Sequence, residues 1–298
     1  MRHLSWHNLE REDEGMDDAF GVYSAAMKGT LGPGWWSSWP LATRHSVGDI
    51  CSVTGGQLLS AGSLDALGVH SSTAVSPYAD NLTYDSSGSV AVTFKASGRT
   101  GPLFQALSQA ELGAHVAFSR DRSVFAVFTG LRQTAMTEPR LLARHLTELY
   151  FRQEWEPDWV AVTHLLSAEA GTVLIAASAT AEAELRVTAD AGAGAVKMAD
   201  LAGKVGLARS RNIGLQWLGG NESTPFCRVV ALRKSWLGRV NADFAPRQQA
   251  RGLAPADIPV RLMHQAEDRP DEVIAEVGAD DDAWAGDAPA DDTPAARS

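Results

Sequence analysis

From Val173 onward every odd-numbered residue is apolar: Val173, Ile175, Ala177, Ala179, Ala181, Ala183, Leu185, Val187 and Ala189. The even positions from Thr172 to Thr188 are mostly polar and end in the charged series Glu182, Glu184 and Arg186. A helix repeats every 3.6 residues, so a period of two sustained this long dictates extended backbone with one apolar flank. At about 3.3 Å per residue such a strand is roughly 60 Å long. Folding it back through a two-residue turn would switch the inward parity, which does not switch. The pattern therefore predicts one long bent strand, or a hairpin whose loop has an odd number of residues. Each half also has the length of a tilted membrane-crossing β-strand, about 9 to 11 residues. That makes Val173, Ile175, Ala177, Ala179, Ala181, Ala183, Leu185 and Val187 candidate membrane-facing residues. The ordinary alternative is a sheet whose alanine-rich flank packs against a helix while Glu182, Glu184 and Arg186 face water.

The rest of the chain reads as antiparallel strands with helices interspersed. Met16, Phe20, Tyr23 and Met27 recur at helical spacing, predicting a helix from about Asp18 to Lys28 that Gly29 ends. GTLGPGWWSSWP follows as a turn-rich loop whose Trp35, Trp36 and Trp39 dock on the core or grip a ligand. Val47 to Val53, Gly55-Gly56 and Leu58-Leu59 form a small hairpin, and SVAVTF a strand with Val90, Val92 and Phe94 on one face. HVAFSRDRSVFAVF predicts a hairpin that sets Phe118 opposite Val124. TEPRLLARHLTELYF predicts a helix with Thr137 as N-cap, Pro139 in the first turn, and Leu142, Leu146, Leu149 and Tyr150 inward. DWVAVTHLL is a strand, Lys197 to Lys204 a short helix, and IGLQWL pairs with FCRVVAL in a last hairpin. Without regular βαβ alternation, the expected class is α+β with a mainly antiparallel twisted sheet.

The formal charge of −10 is unevenly spread. Glu267 to Ser298 holds eleven acidic and two basic residues, while Lys197 to His264 holds eleven basic and four acidic ones. A basic segment followed by an acidic one favours intramolecular masking or an interaction arm. From about Ser235 the apolar pattern thins. The expected layout is therefore a globular domain over 1–234, a partly ordered basic linker over 235–264, and a disordered acidic tail over 265–298. Arg209, Arg211, Arg228, Arg233, Lys234 and Arg239 are the candidate basic surface. No helix-turn-helix, RRM or finger accompanies it, which argues against nucleic acid. The first residues lack the apolar stretch of a signal peptide, and no run reaches the ~18 apolar residues of a spanning helix, so the expected location is cytoplasmic.

Signatures of catalysis are missing: there is no GxSxG, HExxH, Walker loop or strand-linked GxGxxG. His45, Asp49 and Cys51 are the residual Cys/His constellation for a hydrolase, although triads are rarely assembled from one local strand. His115, His145 and His164 sit in apolar patterns and read as structural. Cys51 and Cys227 suggest neither a disulfide framework nor a zinc site, and His3 and His7 lack a third ligand. Neither metal nor cofactor is expected.

The order of HVAFSRDRSVFAVF, RLLARHLTELYF, VAVTHLL and VLIAASATAEAELRVTA resembles the pore-forming part of the gasdermins, and SVGDICSV is similar to their short apolar strand around an Asp-Ile pair. The resemblance spans about residues 45–233. It implies a protein restrained by its C-terminal segment, released by an activating protease, self-associating, and meeting membrane lipid through amphipathic hairpins. The chain departs from bacterial members in lacking a cysteine at the extreme N-terminus and in having a polar tail. The expectation is a non-enzymatic protein acting by assembly or conformational change, with a soluble scaffold or binding domain bearing an acidic arm as the alternative.

Overall fold

The computed structural model describes residues 7–95, 101–108, 111–188, 196–203, 205–244 and 258–279. Its first half runs α1 (His7–Leu31), β1 (Trp36–Ser37), β2 (Asp49–Thr54), β3 (Gln57–Ser63), β4 (Thr73–Val75), β5 (Asp80–Asp85), β6 (Val90–Lys95), β7 (Gly113–Phe118) and β8 (Val124–Met136). Then come α2 (Pro139–Phe151), β9 (Trp159–Ala176), β10 (Glu182–Val187), β11 (Val205–Arg211) and β12 (Ile213–Leu232). The last elements are α3 (Lys234–Phe244), α4 (Val260–Asp268), α5 (Pro270–Val273) and β13 (Ile274–Val277). The class is α+β, and the ladders are antiparallel, as the patterning predicts.

Two compact units share the chain. The first comprises Met1–Val47, Thr73–Met136 and His164–Cys227. Its central layer pairs β8 with β9 on one side and with β4 and β5 on the other. The second layer has the order β11-β10-β7-β6. The side chains explain why β8 needs covering on both faces. Val124, Ala126 and Phe128 join Phe20, Tyr23 and Met27 of α1 in one core, while Phe125 and Val127 join Val116, Ala183 and Leu185 in another. A strand buried on both sides reads as a continuous apolar run, which VFAVF is.

Several expected elements form. Gly55 and Gly56 take φ of 57° and 76°, as a two-residue hairpin turn requires, and join β2 to β3. Pro139 opens α2, whose buried positions include Leu142, Leu146, Leu149 and Tyr150. α1 passes Gly29 and ends at Gly32, whose φ of 84° and amide bond to the Lys28 carbonyl at 3.0 Å close the last turn. Thr137 is not the cap of α2. Its hydroxyl donates to the Ser72 carbonyl at 3.2 Å and Glu138 occupies the capping position. The short helix near Lys197 is a single 3₁₀ turn, Met198–Leu201.

Two expected hairpins do not form. Phe118 and Val124 belong to different layers, because β7 pairs with β6 and β10 while β8 pairs with β9, β4 and β5. IGLQWL and FCRVVAL are parts of one strand, the twenty-residue β12. In both places alternation was compatible with a hairpin, and partners distant in the chain decided otherwise.

The second unit comprises Gly48–Ser72, Thr137–Thr163 and Arg228–Ser298. In it β2 pairs with β3 and with Trp159–Val160–Ala161 of β9, and β13 pairs with Val229–Leu232 of β12. α3, α4, α5 and β13 lie in stretches whose sequence reads as linker and tail. Order there rests on buried side chains from each element: Trp236, Leu237 and Val240 from α3, Ile258 just before α4, Leu262 and Ala266 from α4, Val273 from α5, and Ile274 and Val277 from β13. A two-residue apolar stripe on a nine-residue helix is too thin to stand out from composition. The remainder of the expected acidic tail, from Asp280, lies outside the described residues, as does Ala189.

Candidate functional site

The alternating run contains a corner. β9 ends at Ala176, residues 177–181 carry the chain to the other layer, and β10 starts at Glu182. The five intervening residues preserve parity, but the two strands they join do not pair with each other. The bend is held laterally: the Arg122 amide donates to the Ala176 carbonyl at 2.9 Å, and the Ala177 amide to the Asn212 carbonyl at 2.9 Å. Before the corner Val173 and Ile175 face the α1 core. After it Ala181, Ala183 and Leu185 face the core between the two layers, with Val187 packed at its margin. Ala177 and Ala179 lie at the exposed corner itself. β10 is hydrogen-bonded on both edges, to β7 and to β11.

Trp36 and Trp39 are buried, and the Trp39 ring lies 5.6 Å from Phe20 and 6.3 Å from Tyr23. Trp35 packs half-buried on the same cluster. The aromatic loop is therefore core material. Arg209 and Arg211 sit in the first unit, where Arg209 donates to Gln105 at 3.4 Å and Arg211 pairs with Glu182 at 3.3 Å. Arg228, Arg233, Lys234 and Arg239 belong to the second. There Arg228 meets Glu276 at 3.3 Å, and Arg233 donates to the backbone carbonyls of Asp271 and Ile274. Of these six, Arg211 and Arg228 are shown paired with acidic side chains, each within its own unit.

Cys51 is wholly buried in β2, and burial, reinforced by the charge of Asp49, pushes its thiol up to about 12. A nucleophilic cysteine needs the opposite shift and access to solvent. His115 is buried with its Nε2 3.5 Å from Glu182 and its ring edge-on to Phe104. His145 lies 3.5 Å from Glu148 on its own helix. Among the described residues no group of three His, Cys, Asp or Glu side chains could hold a metal, and no helix is long and apolar enough to cross a membrane.

A cleft in the second unit brings together residues that are scattered in sequence. Trp236, Arg239 and Val240 of α3, Arg261, Leu262, His264, Gln265 and Asp268 of α4, then Arg269 and Glu272, line a volume of about 440 Å³. α3 builds one wall of it, and α2 packs behind α3. The Tyr150 ring stands edge-on to Trp236 at 6.1 Å, and its hydroxyl donates to Asn241 at 3.0 Å. α4 is fixed to α2 by Arg144, which bonds Glu148 at 3.1 Å and Glu267 at 2.8 Å. Opposite, Glu272 accepts from Gln265 at 2.7 Å and from Arg269 at 3.1 Å. Those bonds, Gln265 foremost, with the charges of Arg269 and Arg239, hold its carboxyl below the ordinary carboxylate value.

Two features separate this cleft from an ordinary surface crevice. Three arginines outnumber two carboxylates, and His264 adds a further donor or acceptor. The Trp236 side chain is 1% exposed, and its indole N–H meets no acceptor. A buried donor left without a partner costs about 1–3 kcal/mol, and indole nitrogen can only donate. Sequence reading found Arg239 as one of six surface cations but missed the cleft. The signal available was the junction of the basic and acidic blocks at His264–Glu272, where opposite charges sit within helical reach. No family model, curated protein or solved structure matches this chain.

Proposed function

We propose that the protein is a non-enzymatic binding module that takes an anionic ligand in the cleft formed by α3, α4 and α5. The gathering of Arg239, Arg261 and Arg269 around one cleft carries this reading: three guanidinium groups line it against the two carboxylates of Asp268 and Glu272, and an anion balances the excess. Arginine suits the task, since its planar fork meets carboxylate or phosphate oxygens in pairs. Val240 and Leu262 give the same cleft apolar surface, favouring a ligand with a carbon skeleton beside its charge.

The pore reading draws less from the geometry. It requires the odd-numbered flank from Val173 to Val187 to leave two cores, and β10 to part from β7 and β11 together. Every backbone group so released needs a new partner before it meets hydrocarbon. No such demand falls on the binding reading.

Calorimetric titration with inorganic pyrophosphate and with citrate tests the proposal. Millimolar or tighter binding that Arg239→Gln weakens, at unchanged melting temperature, is the expected outcome. Heat no different from buffer dilution for both anions, or binding indifferent to Arg239→Gln, would sink it.

A further inference from the structure

One edge of the four-stranded layer is bare. β6 pairs with β7 from Val90–Phe118 to Lys95–Gly113, and among the described residues no strand lies against its other side. The ladder shows which backbone groups are left over. The Phe118 amide donates toward β10, to the Ala181 carbonyl at 2.9 Å, whereas the next amide, Ser119, donates to the Ser89 carbonyl at 2.9 Å, just before β6. Backbone donors and acceptors alternate in direction along an antiparallel strand, so Val90, Val92 and Phe94 turn theirs away from β7.

Natural sheet edges are guarded by an outstanding lysine, a proline or a bulge. β6 has no proline, and its pairing with β7 runs without a break in register. Its one charge is withdrawn: Lys95 is 2% exposed, and its Nζ donates to the Ser108 carbonyl. What remains is apolar or neutral. Val90 and Val92 are half-buried at the margin of the core between the layers, and Phe94 on the same flank is 36% exposed. Ala91 and Thr93 stand exposed on the other flank.

We propose that β6 is a docking edge for a second copy of this chain, the two strands pairing antiparallel about a two-fold axis at Val92. No other position of the axis pairs all three outward-turned residues with one another. Val92 then meets its own counterpart, Val90 lies opposite Phe94 of the second copy, and Ala91 lies opposite Thr93. Each such pair joins side chains of one flank, so the Phe94 ring is covered by valine and no like charges face each other. The same pairing satisfies the backbone groups of Val90, Val92 and Phe94 and doubles the four-stranded sheet. An isologous contact of this kind closes on itself, giving a dimer and not a filament.

Sedimentation velocity of the full chain, from about 1 µM to 1 mM, tests this. The wild type should show a reversible monomer–dimer equilibrium. Val92→Pro, which removes an outward donor, should sediment as a monomer with unaltered far-UV circular dichroism. Ala91→Glu with Thr93→Glu sets like charges opposite each other across the axis and should weaken association about tenfold or more. Ala91→Lys with Thr93→Glu sets opposite charges there and should keep or tighten the dimer. Both charge pairs use exposed positions, so they decide the matter even if Val92→Pro does not fold. A wild type that stays monomeric throughout overturns the proposal. So does a dimer equally strong in the two charge pairs, or one that a folded Val92→Pro chain still forms.

Discussion

Ending the chain after Arg269 tests whether the C-terminal segment is a detachable restraint or part of a core. The reference is a chain ended after Ala279, so that only α5 and β13 differ. The cut removes Val273, Ile274 and Val277, which are 0%, 7% and 1% exposed, and strips four residue pairs from β12. Full burial of such a side chain is worth about 1.5–3 kcal/mol, so three contribute on the order of 5–9 kcal/mol as an upper value. A domain's whole stability is about 5–15 kcal/mol. The loss therefore rivals everything that keeps the second unit folded, and release by proteolysis would melt that unit rather than activate it. Near-UV circular dichroism reports the packed Trp155, Trp159 and Trp236, and limited proteolysis reports Thr137–Thr163. The expected result is loss of the aromatic signal and rapid cleavage in that stretch. A shortened chain that melts within about 2 °C of the reference, a shift below ~1 kcal/mol, would refute this reasoning and restore the restraint suggested by the charge blocks.

Three further outcomes follow from single residues. The Tyr23 hydroxyl is buried with no partner, and burial pushes its pKa up and keeps it neutral, so Tyr23→Phe should hold or raise stability by about 1 kcal/mol in urea unfolding; a clear loss would mean that the hydroxyl is bonded. Cys51 ionises near 9 when exposed and near 12 when folded, so the unfolded chain binds fewer protons across that window and stability should fall as pH rises from about 9 to 12; Cys51→Ala should flatten that slope, and an unaltered slope would count against the burial argument. A Cβ at Gly171 would stand 2.6 Å from the Phe128 ring and 2.7 Å from Trp217, so Gly171→Ala should cost about 1–3 kcal/mol, part of it recovered with Trp217→Leu; an unchanged melting temperature would disprove the close approach.

The sequence by itself determined the local grammar. Gly55-Gly56 imposes a hairpin turn because both residues need positive φ. Phe20, Tyr23 and Met27 mark the buried stripe of α1, and Pro139 marks the start of α2. These are decisions between near neighbours, and a few residues suffice to make them. Tertiary structure decided which strands meet. Nothing in HVAFSRDRSVFAVF distinguishes a hairpin from a crossing between layers except the doubly apolar VFAVF, and that clue gains meaning only once α1 and the second layer are known to cover both faces. The run from Thr172 to Val187 keeps one parity through a change of core, because five residues at the corner preserve alternation while the partners on each side are replaced. The cleft was the least legible feature, since Trp236, Arg239, Arg261 and Glu272 share a wall only after α3, α4 and α5 have packed. Periodicity records which side of an element is dry, but the identity of the neighbour that keeps it dry is a property of the assembled chain.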